Sequence, residues 1–182
     1  IVGQGLAGTC FAFELIRRGK TFIIIDKHVP NSSSQIALGV YNPVILKWFT
    51  KPWHVDKQLN LFYDFYNDFS NFLNINVYYD CGIYKFLNSV GDQNTWLSKS
   101  KKDNLYLSSK LYDLGNVNLN NPKYYGRVKN SGRLDVKTLL KHFRNYCEKK
   151  KILYDECINF NDISINKSYI EYQNIRSKKI IF

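Results

Sequence analysis

The sequence predicts an α/β fold, a helix-flanked parallel sheet interrupted by a stretch of antiparallel sheet, and three observations predict it. A glycine-rich turn, GQGLAG from Gly3 to Gly8, follows two apolar residues and opens a helical pattern that leads into TFIIID, a strand-sized run ending at Asp26. From about 76 to 132 the chain changes to short β-type pieces, NVYYDCGIYKFL, NLYLSSKLYDL and YYGRVKN, separated by Asn, Gly, Ser and Asp. Helical spacing then returns in SGRLDVKTLLKHFRNYCEKKK, before further short strands and a final KKIIF.

The elements follow in order. Ile1 and Val2 read as the end of a strand, and the helix after the turn runs from about Ala7 to Arg18. Leu6, Cys10 and Phe13 share one of its faces, Phe11 and Leu15 an adjoining one, and Gly19 is the stop. TFIIID is continuously apolar, as a strand buried on both faces of a parallel sheet should be. Residues 30–43, PNSSSQIALGVYNP, are punctuated by Pro, Ser and Gly and predict an extended loop. A long helix is expected over about 55–74, with Val55, Leu59, Phe62, Tyr66, Phe69 and Leu73 as its buried stripe and Asp64 and Asp68 on a solvated face. Another helix follows Asp135 as N-cap, burying Val136, Leu139, Leu140, Phe143 and Cys147, with Lys149 to Lys151 complementing its C-terminal dipole.

A chain of 182 residues, 45% of them hydrophobic, is long enough for one domain or one and a half with a real core. Its longest apolar runs are strand-sized, which excludes a membrane span. The four cysteines show no CxxC pair and no histidine at metal spacing, so they read as buried thiols in a reducing cytoplasmic compartment, with no metal expected. The net charge of +11 is concentrated in residues 99–151. Such a stretch attracts anionic partners, RNA among them, but a chain rich in Lys, Asn, Ile, Tyr and Phe also shows the drift of A+T-rich codons. His28, His54 and His142 have no triad partner in the sequence and read as surface or capping residues.

The glycines of GQGLAG have separate tasks. Gly3 permits the tight turn out of the strand, Gly5 lets a pyrophosphate approach the backbone, and Gly8 lets helix and strand pack closely. The N–H groups at the helix start, at Leu6, Ala7 and Gly8, then face the anion, aided by the positive end of the dipole. Asp26, 18 residues after Gly8, stands at a strand end where a carboxylate accepts both ribose hydroxyls of an adenosine and repels a 2′-phosphate. The ligand expected from the residues is FAD or NAD, not NADP.

Taken together, GQGLAG, IIIDK, SSSQIALGVYNP and GRLDVKTLLKHF resemble, in order, the FAD-dependent oxidoreductases of the D-amino-acid, glycine and sarcosine oxidase group. The resemblance implies a Rossmann-like FAD-binding parallel sheet with an inserted antiparallel α+β substrate domain. Residues 1–75 and 133–182 would form the two parts of the FAD-binding domain, and 76–132 the start of the substrate domain. It implies that the serine- and alanine-rich loop passes along the FAD, through Ser33, Ser34, Ala37, Gly39 and Pro43, and that Lys27 stands where the family often has an arginine after the ribose-binding acid. Gly132, Leu134 and Asp135 match a structural approach to a helix. Tyr41 and Asn42, on the loop leading to the flavin, become the candidates for lining the active site. With no methionine present and the turn reached after two residues, the sequence reads as the front half or so of a longer protein, truncated at both ends.

The resemblance implies oxidation of an amine or amino acid by hydride transfer to flavin N5, a step that needs no classical base, with this piece inactive alone. Three other readings stay open: a tRNA-modifying oxidase domain of the same family, motivated by the basic stretch; an NAD-dependent dehydrogenase; and a nonenzymatic nucleotide-binding fragment.

Overall fold

The computed structural model describes residues 1–102, 104–113 and 124–182. Along the chain these form α1 (Leu6–Arg17), β1 (Ile24–Ile25), α2 (Ser33–Ile36), β2 (Val40–Tyr41) and α3 (Val55–Leu73). Next come β3 (Tyr78–Tyr79), β4 (Ile83–Phe86), α4 (Val90–Lys102), β5 (Tyr112–Asp113), β6 (Tyr124–Val128) and β7 (Gly132–Leu134). The remainder holds α5 (Val136–Lys149), β8 (Leu153–Tyr154), β9 (Ile163–Ile165), β10 (Ile170–Tyr172) and β11 (Ile175–Ser177). The predicted mixed α/β class, with parallel pairing and separate antiparallel sheets, is the one observed.

Two compact units divide the chain, one of residues 1–37 with 136–182 and one of residues 38–135. The sequence reading placed the changes at 75/76 and 132/133. The earlier division arises because α3 packs on residues of the second unit: Phe62 lies 4.5 Å from the Tyr41 ring and 5.7 Å from that of Tyr78, and the Tyr78 hydroxyl donates to Asn67 at 2.7 Å.

In the first unit β1 pairs in parallel with β8, Ile24 opposite Leu153 and Ile25 opposite Tyr154. Val2 bridges Ile25 in parallel on the other side of β1, and its N–H donates to the carbonyl of Ile181 at 2.7 Å. The lateral order is therefore Ile181, Val2, β1, β8, so the chain's first strand lies between the second and the last segments. Ile24 is fully buried and Ile25 nearly so, as the apolar run predicts. From α1 Thr9, Ala12 and Phe13 are buried, and from α5 the five expected residues Val136, Leu139, Leu140, Phe143 and Cys147. A buried Phe, Leu or Ile stabilises by roughly 1.5–3 kcal/mol, so these two helical stripes anchor the unit. β9, β10 and β11 form an antiparallel meander.

The second unit holds two antiparallel sheets, β2-β7-β3 and β4-β6-β5. Val44, Phe49, Leu87, Trp96, Leu107 and Val128 make its core cluster. α3 buries Val55, Leu59, Tyr66 and Phe69, while Asp64 and Asp68 face outward, as their spacing predicts.

Three expectations need correction. The loop over 30–43 contains the single helical turn α2 and the strand β2. α4 falls where the sequence was read as a break between strands. Of the four cysteines only Cys147 is buried; Cys10 is half-buried, and Cys81 and Cys157 are exposed, because they sit in connections rather than on a helix face. Part of the basic stretch, residues 103 and 114–123, lies outside the described residues.

Candidate functional site

The first strand of the first unit ends at Gly3, the point where lateral strand order reverses, and in open α/β sheets such a point opens a crevice at the carboxyl ends of the strands. The glycine turn occupies it. Gly3 has φ of +92°, a conformation that L side chains rarely adopt. A Cβ on Gly8 would lie 2.1 Å from the Gly3 carbonyl oxygen, so the third glycine is what lets α1 start against the strand end. Gly5 is the N-cap of α1 and brings no capping side chain, and no acidic residue stands in the first turn. The helix therefore begins with its dipole unneutralised by its own residues.

Ser34, from α2, reaches this helix start. Its Oγ accepts the Leu6 N–H at 3.1 Å and lies 3.1 Å from where a Gly5 Cβ would be. Ala7 and Ser33 are exposed, as are Ala37, the residue after α2, and Lys27.

Asp26 follows β1 directly. Its side chain is 22% exposed; Oδ1 accepts the Gln4 N–H of the glycine turn at 2.8 Å, and Oδ2 accepts from Nη1 of Arg144 at 2.8 Å. Gln4 is itself buried, its amide donating to the Leu140 carbonyl at 3.0 Å while its Oε1 accepts from Arg144 Nη1 at 3.2 Å. Gly3, Gly5, Leu6, Gly8, Asp26 and Ser34 are thus brought together. Sequence reasoning missed Gln4 and Arg144: nothing in the sequence marks Gln4 beyond its place between two turn glycines, and Arg144 lies 118 residues from Asp26 with only its place on α5 to mark it.

The remaining predicted residues belong to the second unit. Gly39 has φ of +66° and its carbonyl accepts the Leu134 N–H at 2.8 Å. The Tyr41 hydroxyl donates to Asp80 Oδ1 at 2.8 Å; burial first, and then the Asp80 carboxylate, push its pKa well above the usual phenol value. Such a phenol keeps its proton at neutral pH. Asn42 Oδ1 accepts the Val44 N–H at 3.0 Å, a local turn that commits this side chain to its own backbone. Among the described residues no three His, Cys, Asp or Glu side chains are gathered as a metal would require, and no helix is long and apolar enough to cross a membrane.

No protein-family model matches the chain. Solved structures do resemble it. The L-amino acid deaminase of Proteus myxofaciens, solved with anthranilate, is 16% identical over 93% of this chain and 40% of its own, with a TM-score of 0.64. Iminodiacetate oxidase from Chelativorans sp. BNC1 is 16% identical over 93% of this chain and 48% of its own, at 0.64. Glycine oxidase from Bacillus cereus is 17% identical over 97% and 53%, at 0.58. The chain has the fold of part of these enzymes. It spans about half or less of their length, and at such identities the likeness concerns the fold alone.

Proposed function

We propose that the chain carries the adenosine-binding part of an FAD-dependent oxidoreductase that oxidises an amine or amino acid. The observation that carries this reading is the seating of Asp26: a carboxylate at the end of the second strand, hydrogen-bonded to the N–H of Gln4 inside the glycine turn. Sugar and phosphate ligands of one dinucleotide would thereby meet at a single corner of the sheet.

The residues present fit such a group. Gly8 holds α1 against the strand, so the first-turn N–H groups of Ala7 and Gly8 would hold the pyrophosphate, and the Ser34 hydroxyl, which accepts from Leu6, has its own proton to donate. Asp26 would accept the ribose hydroxyls. Lys27, Ser33, Ala37 and Gly39 are proposed to follow the cofactor along the loop, and Tyr41 and Asn42 to line the reaction site. Bound flavin supplies the acceptor for the hydride that leaves the carbon beside the substrate nitrogen. The chain's residues bind and orient; none of its three histidines is assigned as a base. The folds of glycine oxidase, iminodiacetate oxidase and L-amino acid deaminase support the substrate class.

The test is retention of FAD, read as flavin absorption near ~450 nm after gel filtration, together with calorimetric ADP binding. Wild type should retain FAD and bind ADP, and Asp26→Ala should weaken ADP at least about tenfold, the loss of one charge-assisted hydrogen bond. Binding of neither ligand, or equal binding by Asp26→Ala, sinks the reading.

A further inference from the structure

Asp26 is not a free carboxylate. Each of its oxygens offers two strong acceptor directions. One on Oδ1 is taken by the Gln4 N–H and one on Oδ2 by Arg144 Nη1, both at 2.8 Å. One acceptor direction per oxygen is left over, the number that a sugar with two adjacent hydroxyls needs.

Arg144 is itself held. Its side chain is 11% exposed, and Nη1 also reaches Gln4 Oε1 at 3.2 Å. Nε lies 3.3 Å from Glu148 Oε1, one turn along α5. Nη2 stands 3.2 Å from Asp155 Oδ1, an ion pair without hydrogen-bond alignment. A planar guanidinium tied to three carboxylates and one amide has little freedom to turn, and its fork geometry transmits that rigidity to whatever it binds. Lysine, a rotatable point charge, would not.

We propose that Arg144 is a positioning residue for ribose recognition: with the Gln4 N–H it fixes the plane of the Asp26 carboxylate and so makes it a two-point acceptor for a sugar bearing both 2′ and 3′ hydroxyls. This rests on the dinucleotide reading above and adds to it the residue that sets sugar selectivity. An Arg144 that merely held α5 in place would affect every nucleotide alike. A positioning Arg144 governs the ratio between nucleotides that differ only at the sugar.

The experiment is calorimetric titration of the 182-residue chain with ADP and with 2′-deoxy-ADP. Wild type should prefer ADP about tenfold, one charge-assisted hydrogen bond. Arg144→Gln should bring the ratio to within about twofold while ADP still binds through its phosphates. Arg144→Lys keeps the charge and most of the stem, which protects the fold, and should lose at least half of the preference on a logarithmic scale. A wild-type preference that persists undiminished in a folded Arg144→Gln or in Arg144→Lys overturns the proposal and leaves dinucleotide binding standing. Failure of wild type to bind either nucleotide overturns both.

Discussion

A single methyl group at Gly8 tests the geometry of the glycine turn. Built on the observed backbone, it lies 2.1 Å from the Gly3 carbonyl oxygen, 3.2 Å from the Gly3 carbonyl carbon and 3.5 Å from Ile1 Cγ2. The first contact is about 1 Å short of an ordinary carbon–oxygen approach. Its partner is backbone, which no rotamer change relieves, so α1 must lift from the strand while Ala12 and Phe13 stay buried beneath it. Overpacking of this kind costs about 1–3 kcal/mol. Alanine's better helix propensity offsets at most about 1 kcal/mol. Gly8→Ala should therefore lower stability by about 1–2 kcal/mol, read as a fall in the urea midpoint by circular dichroism with an unchanged slope, and should weaken ADP binding too. Gly5→Ala is the contrast: its Cβ would meet only Ser34 Oγ at 3.1 Å, the movable end of a short side chain. That variant should keep wild-type stability and lose nucleotide affinity alone. A Gly8→Ala protein as stable and as ADP-competent as wild type would refute the reasoning.

Other outcomes follow from the cores. Trp96 is fully buried, its Nε1 donates to the Ser108 carbonyl at 3.0 Å, and a Cβ on Gly126 would lie 2.2 Å from its ring. Gly126→Ala should thus destabilise the second unit by about 1–3 kcal/mol without altering ADP affinity, and a neutral result in urea titration would contradict the packing. Burial pushes the Cys147 thiol up to about 12 from an ordinary 9.0. The unfolded chain releases this proton first, so the stability it confers is complete below pH 9.0 and is lost as pH climbs towards about 12. Wild type should lose stability over that window more steeply than Cys147→Ala. In the native protein at pH 8 iodoacetamide should modify the exposed Cys81 and Cys157 but spare Cys147 until urea is added; equal labelling of all three would show that α5 does not bury its stripe.

The features legible in the sequence lie within short reach along the chain. The glycine turn, α1, the strand ending at Asp26, and the stripes of α3 and α5 are written in spacings of two to eighteen residues, because helical and strand periodicities and the turn chemistry act locally. α4 was legible as well, had Ser89 and Asp92 been read as a capping pair: the Asp92 N–H donates to Ser89 Oγ at 3.0 Å. It was missed because, among its described side chains, the helix buries only Trp96 and Ser100 and so carries no apolar stripe. The remaining features arise from packing of the assembled fold. Parallel strands need a long crossover, so nothing near β1 in the sequence names β8 as its neighbour. The unit boundary after Ala37 depends on where α3 finds its aromatic partners, and the pairing of Arg144 with Asp26 joins residues 118 apart. Such contacts are set by how finished elements pack, and packing has no spacing rule for a sequence to display.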